Sequence, residues 1–144
     1  MVRAILYIAA HYYLGMKTES KGLTLELAMK IVGTFPILMG IGMIFAPTMM
    51  MEGFGMGATE GMILVASYLG VCMVIFGGAH WMAALFVVDN LKLFAQFFAA
   101  GHFAFILVDV YQYSVDVLPM DAANLGNNVV TLVFVALLLI KSRD

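Results

Sequence analysis

MILVASYLGVCMVIFGGAHWMAALF, residues 62–86, contains no charged side chain, and the next basic residue is Lys92. An apolar run this long reads as a membrane-spanning helix, because about 20 residues rising 1.5 Å each cross the ~30 Å hydrocarbon core of a bilayer. Three more apolar stretches, 25–46, 91–110 and 122–140, give the same reading. The basic residues then set the arrangement. Arg3, Lys17, Lys21 and Lys30 precede or enter the first stretch, Lys92 sits between the second and third, and Lys141 and Arg143 follow the fourth. The connections 47–61 and 111–121 hold no Lys or Arg. Basic loops stay on the cytoplasmic side or its stromal or matrix equivalent, so the sequence predicts four spans with both termini on that side. The expected fold is all-α: a polytopic, antiparallel four-helix membrane bundle forming a single domain over 1–144.

Composition agrees. The 144 residues are 64% hydrophobic and 11% charged, with a mean hydropathy of +1.03; soluble domains carry about 25% charged residues. On the inner side, seven basic groups against Glu19, Glu26, Asp89 and Asp144 leave +3. The outer side, with Glu52, Glu60, Asp109, Asp116 and Asp121, carries −5. There is no basic stripe of the kind nucleic acid needs, so lipid and other membrane proteins are the expected partners. Cys72 is the only cysteine, which excludes a disulfide framework, and its apolar surroundings predict a buried, inert thiol.

Residues 1–22 are expected to form an interfacial segment. The run 2–16 is too short to span, has basic residues on both flanks, and carries Tyr7, Tyr12 and Tyr13. A cleaved signal peptide is the alternative. Within the spans, Pro36 predicts a kink, and Glu26 and Lys30 stand four apart in the orientation of a helical ion pair. Gly40 and Gly42 on the first span, and Ala66, Gly70, Gly77 and Gly78 on the second, form small-residue faces suited to close helix packing. Asp121 is placed to cap the fourth helix.

The stretches Leu-Met-Gly-Ile-Gly-Met-Ile-Phe-Ala-Pro at 38–47, Tyr-Leu-Gly-Val at 68–71 and Phe-Gly-Gly-Ala-His-Trp-Met-Ala-Ala at 76–84 resemble the small four-helix DoxX-like membrane protein families. The resemblance covers the first two spans and departs from those families in lacking an Arg at the start of the second. It implies a compact bundle serving as an accessory component of a membrane system, with no catalytic residues to carry over.

Polar residues inside a span are costly and call for a role. His102, flanked by Ala99, Ala100, Gly101 and Ala104, has room beside its ring. It can ligate the metal of a haem or chlorophyll, act in a proton relay, or hydrogen-bond across to Asn127 or Asn128. His80 is the second candidate, as a ligand or as an interfacial packing residue. Counted from the span centres, His80 lies about 9 Å off the midplane and His102 about 11 Å away in depth, so a haem shared between the two is not expected. His102 and Asp109 share one face of the third helix. Three consecutive methionines, Met49–Met51, cannot all face one ion, which disfavours a Cu(I) site. No nucleophile elbow, Cys pair or metalloprotease motif is present, so an enzyme is not expected. The sequence therefore supports a small auxiliary subunit of a larger respiratory or photosynthetic complex. The alternatives are a protein holding a tetrapyrrole, quinone or lipid between its helices, with His102 and His80 as anchors, or a small transporter or channel.

Overall fold

The computed structural model describes residues 23–143, and every regular element in that range is helical. The interfacial or signal-peptide reading of 1–22 falls outside the described residues. Helix α1 is Leu25–Phe45, opened by Thr24, whose hydroxyl accepts from the Leu27 N–H at 3.2 Å. It runs unbroken through Pro36. A short helix, α2 (Pro47–Gly53), occupies the Met-rich segment that the sequence suggested was loop. Pro47 supplies the reason: its fixed φ suits the first helical position, where no N–H is needed. Helix α3 is Glu60–Phe86, capped by Thr59, which accepts from the Met62 N–H at 3.4 Å. Helix α4 is Leu91–Ser114, longer than expected because hydropathy falls at Tyr111-Gln112-Tyr113-Ser114 while the backbone hydrogen bonding continues. Helix α5 is Ala122–Lys141, and its cap Asp121 accepts from the Asn124 N–H at 2.9 Å. The four long helices are each long and apolar enough to cross a membrane.

The closest packing joins α1 to α3, antiparallel, through two pairs of facing glycines. A Cβ placed on Gly40 would lie 2.5 Å from the Gly70 carbonyl oxygen, and one on Gly70 would lie 2.7 Å from that of Gly40. One heptad along, Gly33 meets Gly77: a Cβ on Gly33 would lie 2.7 Å from the Gly77 carbonyl oxygen, and one on Gly77 would collide with that of Gly33. The absence of side chains is what lets the two backbones touch. Ala66 is buried on the same helix. Gly42, by contrast, faces the Met50 thioether of α2, and a Cβ on Gly78 would meet no atom of the described residues within 4 Å. The Gly70/Gly77 face is thus consumed inside the protein; it is not a free surface for another subunit. Lys30, expected beside Glu26, has its Nζ 5.9 Å from the centroid of the Trp81 ring, whose N–H donates to Thr34 at 3.2 Å.

Helices α3 and α4 are joined by aromatic rings rather than by backbone approach. Phe76 sits among Phe98, His102 and Phe105 at centroid separations of 5.7, 5.2 and 6.0 Å. The solid part of the core lies towards the 87–90 turn, where Met29, Val32, Ala83, Ala95, Phe98, Ala99, Val135 and Leu138 pack together. The basic residues Lys30, Lys92, Lys141 and Arg143 occupy the helix ends on that same side. Cys72 is exposed, not buried. In a bundle whose outer faces are also apolar, apolar neighbours in sequence do not imply an interior position.

Candidate ligand-binding site

Away from the solid core the bundle opens into a cleft whose edges, at Leu69, Cys72 and Phe105, are exposed. A cavity of about 490 Å³ lies between the four long helices, with its rim built by Phe54, Met56 and Leu118. Its two sides differ in chemistry. Helices α1 and α3 contribute Phe35, Pro36, Met39, Met43, Leu69, Cys72, Met73 and Phe76. Helices α4 and α5 contribute His102, Asp109, Gln112, Asn124, Asn127 and Thr131, with Phe105 among them. The spacings explain why these groups share a wall. Residues 102, 105, 109 and 112 recur at three and four along α4, as do 124, 127 and 131 along α5, which is the stripe of one helix face. The cap over the rim is pinned to α5, since the Asn124 side-chain amide donates to the Phe54 carbonyl at 3.4 Å and to the Pro119 carbonyl at 2.9 Å. Gly55 permits this close approach with φ at +72°, a Cβ there lying 3.1 Å from the Pro119 ring.

At the deep end of the cavity the two histidines meet. His102 Nε2 is 3.2 Å from His80 Nε2, and His80 Nδ1 is 2.8 Å from the Phe76 carbonyl oxygen. His80 is fully buried and stacks on Phe98 with centroids 3.8 Å apart, while His102 is 5% exposed and borders the cavity. This corrects two expectations from the sequence. The partner of His102 is His80, not Asn127 or Asn128; the Asn128 amide donates instead to the Tyr113 hydroxyl at 2.9 Å. The supposed depth gap also closes. A helical side chain leans towards the N-terminus of its own helix. On antiparallel helices, His80 therefore leans away from the 87–90 turn and His102 towards it, so the rings converge although their backbone positions are offset.

The carbonyl of Phe76 can only accept, so His80 Nδ1 carries hydrogen. Burying a charge in this apolar surround is costly, and among the described residues neither ring is hydrogen-bonded to a carboxylate, so both are read as neutral. His80 Nε2 then has a lone pair, His102 Nε2 donates to it, and His102 Nδ1 is left as an acceptor. Among the described residues no buried side-chain nitrogen or oxygen lacks a partner. His102 Nδ1, which has no hydrogen-bond partner among the described residues, borders the cavity with its ring.

This pairing bears on metal chemistry. Two imidazoles on opposite faces of one metal–tetrapyrrole need nitrogens about 4 Å apart, at roughly 2 Å per bond, with the macrocycle between them. Here the two Nε2 atoms are in direct contact and engaged with each other. No group of three His, Cys, Asp or Glu residues able to hold a metal ion occurs among the described residues. The polar wall also stops at His102. The Ser67 hydroxyl turns back onto the Ile63 carbonyl at 3.0 Å, and Gln96 lies on the exposed side of α4. His102, Asp109 and Asn127 stand out in the sequence as polar groups within spans, whereas Gln112, Thr131 and Gly33 do not. Thr131 stands seven residues after Asn124 and Gly33 seven before Gly40, so the helical period was the available signal. No protein-family model matches the chain, and none of the curated proteins or solved structures compared is significantly similar to it.

Proposed function

We propose that this chain is an integral membrane protein that holds a quinone-class molecule, a single polar ring with an apolar tail, in the cavity between its four helices. The observation that carries the reading is the two-sided lining. A wall of Phe and Met faces a wall of His102, Asp109, Gln112, Asn127 and Thr131 across about 490 Å³, which is the size and composition of small-molecule sites. Polar side chains at these depths are expensive without a purpose. The mutual engagement of His80 and His102 argues against a haem or chlorophyll held by that pair. The polar stripe spans about ten residues of α4, roughly 15 Å, and ends at the histidines, which favours a closed-ended binding site over a path across the bundle. With basic residues placed inside, the cavity belongs to the outer half of the bilayer.

The test is saturation binding of decylubiquinone and of its reduced form, decylubiquinol, to the protein in lipid nanodiscs, beside Met73→Trp. The added indole fills the cavity from the apolar wall. At least one redox form should bind the wild type saturably, and the variant should lose binding while keeping its thermal midpoint. If neither form binds a folded wild-type protein, or if Met73→Trp binds as well as wild type, the reading fails.

A further inference from the structure

The seams between neighbouring long helices are tied unequally along the cavity. Facing glycines bring α1 and α3 into backbone contact at Gly40 and Gly70. Helices α1 and α5 meet through the Phe35 and Phe134 rings, whose centroids are 5.4 Å apart. Helices α4 and α5 are tied by the Asn128 amide, which donates to the Tyr113 hydroxyl at 2.9 Å. Between α3 and α4, every hydrogen bond and ring contact among the described residues involves Phe76 or His80, at the deep end of the cavity. Outward from Phe76 this seam parts. Leu69, seven residues or roughly 10 Å along α3 from Phe76, lines the cavity and is 44% exposed. Phe105 of α4 lines it and is 52% exposed, and Cys72 likewise both lines it and is exposed. Side chains that border a cavity and the outer surface at once mark an opening.

The end of the cavity beyond the spans is pinned instead. The Asn124 amide holds the Phe54 and Pro119 carbonyls, Gly55 lies against the Pro119 ring, and the Val117 N–H turns back onto the Gln112 carbonyl at 3.0 Å. We infer that the cavity opens sideways into the bilayer between α3 and α4, and holds its ligand with the head ring against the polar wall and the apolar tail in this seam. This rests on the quinone-class reading above and adds to it the tail's place and the phase that supplies the ligand. Leu69 and Cys72 lie near the middle of the 27-residue helix α3, so the opening faces hydrocarbon. Its edges are apolar and it leads to polar groups, which fits a ligand that is polar at one end only. A ligand arriving from water would have to break the hydrogen bonds of the cap. One dissolved in the outer leaflet meets no such bonds at the seam.

Cys72 is the only cysteine of the chain, so the wild-type protein carries its own reporter at the opening. Its modification in nanodiscs is followed by intact mass with lipid-soluble N-(1-pyrenyl)maleimide and with the charged, water-confined trimethylammonium-ethyl methanethiosulfonate. Taken relative to their rates with a soluble thiol, the pyrenyl reagent should reach Cys72 far faster than the charged one. Decylubiquinone at about ten times its Kd should slow the pyrenyl reaction roughly tenfold, since only unliganded protein reacts. Ubiquinone-0, which has the head ring and no tail, should leave the rate almost unchanged at equal occupancy. In the double variant Cys72→Ala, Leu118→Cys the thiol moves to the rim, and decylubiquinone should not protect it. Faster attack on Cys72 by the charged reagent would overturn the inference and leave a ligand-binding cavity in place. So would unchanged modification of Cys72 at saturating decylubiquinone, equal protection by ubiquinone-0, or protection of the rim thiol. Absence of saturable binding by both decylubiquinone and decylubiquinol would remove the underlying reading and the inference with it.

Discussion

Gly70 and Gly78 lie on the same helix eight residues apart, and adding one methyl group to each should have opposite effects. A Cβ on Gly70 would stand 2.7 Å from the Gly40 carbonyl oxygen and 3.0 Å from side-chain atoms of Met43 and Ile44; one on Gly78 would meet none of the described residues within 4 Å. A comfortable carbon–oxygen contact is about 3.3–3.6 Å, so α1 and α3 must separate by roughly 0.6–0.9 Å at Gly70. A gap of that order forfeits about a quarter to a half of each dispersion contact along the seam. Overpacking of this kind costs about 1–3 kcal/mol, partly offset by the roughly 1 kcal/mol that Ala gains over Gly as a helix former. Gly78→Ala receives only the gain. The two variants should therefore differ by about 2 kcal/mol, or roughly 6–12 °C in thermal midpoint for a chain of this size. Unfolding in mild detergent can be followed by Trp81, whose N–H reaches Thr34 across this same seam. Because Gly40 and Gly70 face one another, the double Ala variant should cost less than the sum of the singles. A Gly78→Ala midpoint lowered as far as that of Gly70→Ala would refute the argument from backbone contact.

Two further outcomes follow from the geometry. His80→Leu leaves the buried His102 Nε2–H without its partner and should destabilise the protein by about 1–3 kcal/mol, whereas His80→Leu combined with His102→Leu removes donor and acceptor together and should cost less than the two singles summed; thermal midpoints of the three variants decide this. Asp121→Ala removes the cap on α5 and should cost about 1 kcal/mol, with faster hydrogen exchange at the Asn124 amide than in wild type.

Much of the architecture is legible in the chain because a bilayer imposes a length and a polarity on each element. Residues 62–86 admit one reading, and the basic residues Lys92, Lys141 and Arg143 order the helices about them. What hydropathy could not supply was the end of a helix whose last turn is polar, as at Tyr111–Ser114, or a short helix between spans, as at Pro47–Gly53. The facing glycines were half visible. Gly70 and Gly77 are a heptad apart, and so are Gly33 and Gly40, yet which face meets which depends on antiparallel register, and that is a tertiary fact. The histidine pair shows the limit most clearly. Counting rise from span centres treats a residue as a point on an axis. Two imidazoles that lean towards their own N-termini on antiparallel helices can cover the difference.

The cavity wall carries the same lesson into chemistry. Residue types alone make His102, Asn124 and Thr131 ambiguous, since each can donate and accept. The fold removes the ambiguity by engaging specific hydrogens: one from Thr131 on its own helix, those of Asn124 on the rim, and one from His102 on His80. The remaining lone pairs of these groups, with the amides of Asn127 and Gln112 beside them, border the cavity and not the apolar packing, as a low-dielectric interior requires of polar groups. The solid end of the bundle, built from Met29, Val32, Ala95, Phe98 and Leu138, shows that this chain packs an apolar core where one is needed. The polar groups at the other end line a cavity instead of a packed core, and that contrast is the observation behind the proposed quinone-class ligand.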